Sequence, residues 1–186
     1  MVRLHIVGAS GSGTTTLGAV LAARLGVDHL DSDDFYWMPT DPPYTTPRPI
    51  EARVDLLHER AKPDHGWILT GSALKWGVSV EPLYQLIVFL QLDPAVRMGR
   101  IRAREIERYG TRIEPGGDMA VKSREFLEWA ESYDAAGPER RSLAAHEAWL
   151  VTQTAPILRL NSLGSVTELA DAILRHPVVM AKAGQY

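Results

Sequence analysis

Short runs of apolar residues recur along the chain, separated by stretches in which apolar residues repeat every three to four positions. The longest run covers residues 86–92, Leu-Ile-Val-Phe-Leu-Gln-Leu. Continuous runs of this kind are typical of strands buried on both faces of a parallel sheet. The pattern predicts five strands, at 3–7, 27–30, 67–70, 86–92 and 156–160.

The intervening stretches have the spacing of amphipathic helices. Gly26 provides a stop signal, Pro94 a start signal, and Ser165 with Glu168 a capping box. Helices are predicted at 14–25, 50–62, 94–109, 119–135, 138–150 and 165–174. Strands that alternate with helices imply right-handed crossovers, so we predict an α/β fold with a five-stranded parallel sheet and helices on both faces.

Three segments interrupt the regular pattern of this predicted single domain, 1–186. The stretch 38–50 holds five prolines, and with the helix up to residue 62 it is predicted to form a substrate-side loop and helix. The glycine-rich segment 109–118 suits a lid that excludes water from a site. The tail, 177–186, is predicted to fray.

Composition narrows the class of protein. The 186 residues are 45% hydrophobic and 23% charged, which is ordinary for a globular domain. The chain has no cysteine, which excludes disulfides and thiolate metal sites. A net charge of −3 gives no reason to expect a nucleic-acid partner, and we expect no membrane partner and a cytoplasmic location. The sequence leaves the oligomeric state open.

The glycine-rich turn after the first strand carries the candidate chemistry. In residues 8–15, Gly8, Gly13 and Thr15 match the pattern of a phosphate-binding loop, but Thr14 stands where that pattern has lysine. Glycines let backbone N–H groups converge on phosphate oxygens at a helix N-terminus. The alternative is a turn without a ligand. The residues predicted to bind a nucleotide are Gly8, Ser10, Gly11, Ser12, Gly13, Thr14, Thr15 and Thr16.

An acidic cluster, Asp31, Asp33 and Asp34, follows the second strand. Residues just past the carboxyl ends of parallel strands face the ligand crevice. These carboxylates are therefore predicted to hold Mg²⁺ or a substrate hydroxyl, and the Thr15 hydroxyl is predicted to be a Mg²⁺ ligand. The alternative is a solvated turn in which an aspartate caps a helix.

Aromatic and basic residues are candidates for substrate contacts. Tyr36, Trp37 and Trp76 can stack on a base or a sugar. Arg48 and Arg53 can hold an anionic group, although isolated arginines are also common on surfaces.

One face of the predicted helix 94–109 forms a cationic stripe. Its members are Arg97, Arg100, Arg104 and Arg108, and a separate apolar face holds Met98, Ile101 and Ile106. Such stripes are common on solvated helices. Beside a phosphate loop without lysine, we interpret this stripe as a source of positive charge.

In their order along the chain, these motifs resemble the small P-loop kinases, the group that contains adenylate, shikimate and gluconate kinases. The resemblance covers nearly the whole length. Residues 70–75, Thr-Gly-Ser-Ala-Leu-Lys, are similar to the Cys-Ser-Ala-Leu-Lys of gluconate kinases. The segment 30–37, together with the strand at Trp67, is similar to bacterial kinase-like ATPases called topology-modulation proteins. The Gly-Thr-Thr of the loop is similar to that of adenylate kinase-like AAA-family proteins.

The resemblance implies a three-layer P-loop NTPase fold with a lid, and ATP and Mg²⁺ as cofactors. It also implies roles for individual residues. Asp31 joins Thr15 as a ligand of Mg²⁺, and Asp33 orients the acceptor hydroxyl. Ser72 contacts the substrate, and Asn161 lies beside adenine. Arg100 and Arg104 match the lid arginines.

We therefore predict an ATP-dependent kinase that phosphorylates a small acceptor. Lys75, or Arg100 and Arg104, is predicted to replace the missing lysine, because phosphoryl transfer depends mainly on positioning and charge neutralisation. A nucleoside monophosphate, a sugar acid and a polyhydroxylated natural product all remain open as acceptors. The alternatives are a non-catalytic nucleotide-binding sensor and a slow ATPase.

Overall fold

The computed structural model describes residues 1–183. The strands are β1 (Arg3–Gly8), β2 (Asp28–Asp31), β3 (Trp67–Thr70), β4 (Leu86–Gln91) and β5 (Ile157–Asn161). The helices are α1 (Thr14–Leu25), α2 (Ser32–Tyr36), α3 (Ile50–Arg60), α4 (Pro94–Tyr109), α5 (Ala120–Glu131), α6 (Leu143–Val151), α7 (Val166–Leu174) and α8 (Pro177–Ala183).

The five strands form one parallel sheet in the order β2-β3-β1-β4-β5. β1 is central, and its Leu4 lies opposite Ile68 of β3 and Leu86 of β4. The chain leaves β1 for one side of the sheet and later crosses to the other side, so the strand order reverses beside β1. Open α/β sheets bind ligands at such a reversal.

Two hydrophobic cores lie on opposite faces of the sheet. Leu4 and Ile6 belong to the core formed with α1, α7 and α8. Val7 and Phe89 belong to the core formed with α3 and α6, together with the fully buried Trp67. Because both faces are covered, the three central strands β3, β1 and β4 are buried at nearly every position. These features confirm the predicted fold class.

A third, smaller cluster joins α4 to α5. Met98 and Ile101 of α4 pack against Ala130 and Phe126 of α5. α4 also lies against the phosphate loop, since a Cβ on Gly11 would come within 2.8 Å of the Arg97 carbonyl oxygen. The α4–α5 pair therefore forms a wall beside the loop.

Several predicted helix boundaries were wrong. The helix predicted at 138–150 begins at Leu143, where Ser142 is the N-cap and accepts from the Ala145 N–H. The one predicted at 119–135 ends at Glu131 and continues as a 3-10 turn, Ser132–Asp134.

Four elements of the described residues were not predicted: α2, α8 and two 3-10 turns, at Val78–Leu83 and Gly110–Ile113. Residues 177–183 form α8 instead of a frayed tail, because Val179 is buried in the first core. The rest of the predicted tail, 184–186, lies outside the described residues. Over 1–183, the helices are too short or too polar to cross a bilayer.

Candidate active site

The carboxyl ends of the central strands open into a cleft of about 1000 Å³. Its walls come from the phosphate loop, α2, the segment after β3, α4, α5 and the turn before α6. Predicted site residues in this lining are Ser10, Gly11, Ser12, Gly13, Thr14, Thr15, Thr16, Asp31, Asp33, Tyr36, Trp37, Ser72, Lys75, Trp76, Arg100 and Arg104.

The phosphate loop turns sharply before α1. Gly11 and Gly13 have φ angles of 80° and 90°, which favour glycine. Gly13 is the N-cap of α1, and no side chain caps this end of the helix. The first-turn N–H groups therefore have no side-chain partner, and with the helix dipole they form an anion site.

Gly8 lies behind the loop and not in the cleft lining. A Cβ there would come within 2.6 Å of Ser12 Oγ and 2.7 Å of the Leu90 carbonyl oxygen. Contrary to the prediction that Gly8 contacts the nucleotide, the absence of a side chain serves close packing at the end of β1.

Asp31 and Asp33 lie together on the cleft wall. Asp31 Oδ1 accepts from the Asp33 N–H at 3.0 Å and caps α2, so the capping alternative also holds. Asp33 lies in the wall of the cleft. Partial removal of its carboxyl from water and the negative charge of Asp31 raise the pKa of that carboxyl, and the positive charge of Arg141 opposes this effect. A carboxylate with a raised pKa is a better proton acceptor.

The predicted Mg²⁺ ligands, Thr15 and Asp31, both line the cleft. Residues 1–183 contain no group of three or more His, Cys, Asp or Glu side chains that could hold a metal. Mg²⁺ prefers oxygen ligands and is usually bound by one or two carboxylates together with phosphates and water. The hydroxyl and carboxylate present fit that mode of binding.

The arginines of α4 divide into two groups. Arg100, Arg104 and Arg108 line the cleft, whereas Arg97 is 1% exposed and donates to Asp134 Oδ2 at 2.6 Å. The predicted stripe was therefore wrong for Arg97, because α5 and the turn after it cover that position. The apolar face was wrong at Ile106, which is 63% exposed.

Lys75 lies at the rim of the cleft. Its Nζ donates to the carbonyl oxygen of Glu139 at 2.9 Å, and its φ of 71° is unusual for a residue other than glycine. Its ammonium group is therefore directed across the cleft mouth toward the 137–142 turn.

The predicted lid, 109–118, contributes only Tyr109 to the cleft lining. Arg112 in this segment pairs with Asp118 and Asp41. The pair with Asp118 lies within the segment, and the pair with Asp41 ties the segment to the proline-rich loop. α5 covers the cleft instead, through Lys122, Phe126 and Trp129.

Arg48 and Arg53 do not line the cleft, contrary to their predicted substrate role. Arg48 donates to the carbonyl oxygens of Phe35 and Trp37 at 3.1 and 3.2 Å. Arg53 donates to the Arg48 carbonyl, and its guanidinium carbon lies 3.8 Å from the centre of the Tyr36 ring. The two arginines support the aromatic wall from behind.

Asn161 was also predicted to bind the nucleotide, but it does not line the main cleft. Its Oδ1 accepts from the Leu163 N–H at 2.9 Å, which folds the turn after β5. Ser162 and Gly164 of the same turn do line the cleft.

Sequence reasoning missed Arg141. Its Nη2 donates to the Gly8 carbonyl at 2.9 Å, its Nε is buried without a hydrogen-bond partner, and burial lowers its pKa. The residue lies in a turn that was predicted as helix. A useful signal was Ser142, a favourable N-cap that begins α6 one residue later.

A buried hydrogen-bond chain ends at Ser72 and was likewise missed. Tyr133 Oη lies 2.5 Å from His146 Nδ1, and His146 Nε2 lies 3.4 Å from Ser72 Oγ. Burial, with a smaller contribution from Arg141, lowers the pKa of His146 to about 3. The imidazole is therefore neutral and positions the Ser72 hydroxyl.

No protein-family model matches the chain. The protein YqaC of Bacillus subtilis (strain 168), described as uncharacterized, is 42% identical over 172 residues, which cover 92% of this chain and 95% of that protein. The chain belongs to the YqaC family.

Solved structures also resemble this YqaC-family chain. A shikimate kinase from Bacteroides thetaiotaomicron superposes with a TM-score of 0.56 at 18% identity, over 93% of this chain and 96% of that one. A gluconokinase from Sinorhizobium meliloti 1021 superposes with a TM-score of 0.53 at 16% identity, over 98% and 94% of the two chains. These similarities confirm the P-loop kinase fold.

Proposed function

We propose that the protein transfers the γ-phosphoryl group of ATP to a hydroxyl group of a small acceptor. The observation that carries this proposal is the placement of Asp33, a carboxylate of raised pKa, in the same cleft as an uncapped helix N-terminus formed by the phosphate loop. An anion site and a proton acceptor in one cleft are the two parts that this reaction requires.

The nucleotide would bind through the backbone of the phosphate loop. Ser10 to Thr16 would surround its phosphates, and Thr15 and Asp31 would hold Mg²⁺. The ion, when bound, neutralises charge on the transferred phosphoryl group. Arg100 lies close to the loop, since a Cβ on Gly13 would be 4.0 Å from its Nη1.

In the transfer step, the acceptor oxygen forms a bond to the γ-phosphorus while the bond to the β–γ bridging oxygen breaks. Asp33 takes the proton of the acceptor hydroxyl, and ADP leaves with the electron pair. Arg100 and Arg104 neutralise the charge that develops on the phosphoryl oxygens. Lys75 is a further candidate cation if it leaves the Glu139 carbonyl.

The acceptor would lie against Tyr36, Trp37 and Trp76, with Ser72 as a hydrogen-bond donor. Aromatic faces bind both bases and sugar rings, so nucleoside monophosphates and hydroxylated acids belong in the test panel. The names of the structural neighbours add shikimate and gluconate to that panel. We assign the reaction to one domain over 1–186, in the cytoplasm, with 38–62 as its substrate side.

Titration of the protein with ATP and Mg²⁺ in a calorimeter, followed by ADP release against the acceptor panel, tests the proposal. ATP binding with acceptor-stimulated ADP release supports a kinase. The rival function is a nucleotide sensor, which is favoured by Thr14 in place of lysine. ATP binding without turnover would support the sensor. Acceptor-independent ADP release would indicate a slow ATPase, and absence of ATP binding would refute all three.

A further inference from the structure

The phosphate loop lacks a positive side chain of its own. Thr14 occupies the lysine position, and its hydroxyl cannot neutralise a phosphate oxygen. If the loop binds ATP, as the proposed function requires, another element must bring a cation to the base of the loop. Such a cation should lie against the loop, be held in a fixed position and have unused hydrogen-bonding capacity toward the cleft.

Arg141 lies at the base of the loop. Its Nη2 donates to the carbonyl oxygen of Gly8, the first loop residue, across 133 positions of sequence. The turn that carries it is held by Ser142, whose Oγ donates to the Gly137 carbonyl at 2.7 Å and accepts from the Ala145 N–H at 3.0 Å. The backbone that carries Arg141 is therefore anchored at the N-terminus of α6, and its guanidinium is held by the Gly8 carbonyl.

The guanidinium of Arg141 retains unused hydrogen-bonding capacity. Its Nε is buried and has no hydrogen-bond partner, and the residue lines the cleft. A buried donor without a partner is destabilising. An anionic oxygen bound in the cleft would satisfy it, and arginine can contact two such oxygens at once.

Arg141 is also electrostatically coupled to the proposed proton acceptor. Among the positive charges that oppose the raised pKa of Asp33, that of Arg141 has the largest effect, followed by Arg104 and Arg108. Arg141 therefore lies near both the base of the phosphate loop and Asp33. In the proposed function, the transferred phosphoryl group lies in that region.

The other nearby cations are placed differently. Lys75 is engaged with the Glu139 carbonyl at the rim, and Arg97 is enclosed by Asp134 and Ala130. Arg100 is directed toward the Ser162 carbonyl, at 3.5 Å. Arg104 also lines the cleft and has a buried Nε without a hydrogen-bond partner, so the hydrogen bond to the Gly8 carbonyl is what distinguishes Arg141. None of these four other side chains donates to the first glycine of the loop.

We propose that Arg141 replaces the missing loop lysine and binds the γ-phosphate of ATP between the phosphate loop and Asp33. This inference rests on the proposed function, because it requires ATP in the loop. It assigns the role of the motif's lysine to a residue outside the P-loop motif. The cation comes from the turn before α6, whereas the motif places it on α1.

The experiment compares ATP and ADP affinities, each with Mg²⁺, in the wild type, Arg141→Ala, and Arg141→Ala combined with Thr14→Lys. Loss of Arg141 is expected to weaken ATP binding about tenfold or more and to leave ADP binding within about twofold. Lysine at position 14 is expected to restore most of the preference for ATP. Arg102→Ala, an exposed arginine on α4, is the matched control and should change neither affinity.

An unchanged ATP-to-ADP affinity ratio in Arg141→Ala would overturn the inference. Equal loss of both nucleotides without rescue by Thr14→Lys would also overturn it, because that result would mean that Arg141 supports the loop backbone and does not contact the γ-phosphate. Thermal unfolding of each variant identifies losses that come from misfolding, and Arg141→Lys then provides the folded comparison.

The outcomes separate this inference from the proposed function. In one outcome, the wild type prefers ATP to ADP, Arg141→Ala abolishes that preference, and no acceptor stimulates ADP release. Arg141 then keeps its role, and phosphotransfer is refuted. If the wild type binds ATP and ADP equally, the inference alone fails. If the wild type binds neither nucleotide, both fail.

Discussion

Arg97 of α4 and Asp134 in the turn after α5 form an ion pair with an Nη2–Oδ2 distance of 2.6 Å. Arg97 Nη1 also donates to the Ala130 carbonyl at 2.9 Å. Its neighbour Arg100, one helical turn along, lines the cleft instead. Two arginines on one face of one helix therefore have different surroundings, which gives them different expected effects when removed.

Replacement of Arg97 by alanine is expected to lower the free energy of unfolding by about 2 kcal/mol, because it removes a fully buried side chain and leaves the buried Ala130 carbonyl without its donor. Arg100→Ala, the matched variant on the same helix, should change stability by no more than about 0.5 kcal/mol and should weaken ATP binding. Urea unfolding followed by tryptophan fluorescence measures the first effect. Equal stability of the two variants would contradict the prediction.

Asp33→Asn is expected to reduce turnover by roughly two to three orders of magnitude, because the amide cannot accept the acceptor proton. ATP affinity should stay within about twofold. The pKa of Asp33 is raised, so wild-type turnover should fall as the pH drops through that raised value and the carboxylate becomes protonated.

The matched control for Asp33 is Asp34→Asn, on the same short helix but outside the cleft lining. Initial rates across a pH series with the best acceptor provide the measurement. Comparable turnover in the two variants would remove Asp33 from the proposed mechanism.

Two buried histidines should make stability depend on pH. Burial lowers the pKa of His5 to about 4 and that of His146 to about 3, from an ordinary value of 6.5. Below pH 6.5 the unfolded chain therefore takes up protons that the folded chain does not. Stability should be fully present above that pH and decline as the pH falls toward 4, by on the order of 3 kcal/mol for His5.

Chemical unfolding measured between pH 7 and pH 4.5 tests this dependence. His146→Gln should reduce the slope of the unfolding free energy against pH by the equivalent of about one bound proton. Val151→Ala, at an exposed position of α6, provides the control, since it changes no titratable group and should leave the slope unchanged. A wild-type unfolding free energy that does not vary with pH in this interval would rule out neutral buried histidines.

Gly18 allows α1 to approach the sheet closely. A Cβ there would lie 2.1 Å from Thr70 Cγ2 and 3.0 Å from His29 Nε2, so Gly18→Ala is expected to destabilise the fold by about 1–3 kcal/mol. Gly99, in the middle of α4, has no atom within 4 Å of the equivalent position. Gly99→Ala should stabilise the fold by about 0.5–1 kcal/mol. Opposite signs in urea unfolding confirm the packing argument, and equal signs would refute it.

Local patterns in the sequence determined the sheet and several elements. Helices at 14–25 and 94–109 and the strand at 67–70 have the predicted bounds, because the apolar period and the stop and start residues lie within each segment. The glycine pattern placed the turn before α1 for the same reason. α2 was missed because five residues are too few for a periodic signal.

Only the tertiary structure decided which polar side chains meet in the cleft. Nothing near Arg97, Arg48 or Arg141 in the sequence distinguishes a buried arginine from a cleft or surface arginine. Their partners are Asp134, the carbonyls of Phe35 and Trp37, and the carbonyl of Gly8. The contact between Arg141 and Gly8 joins residues 133 positions apart. It depends on how α6 packs against the sheet, which no local periodicity encodes.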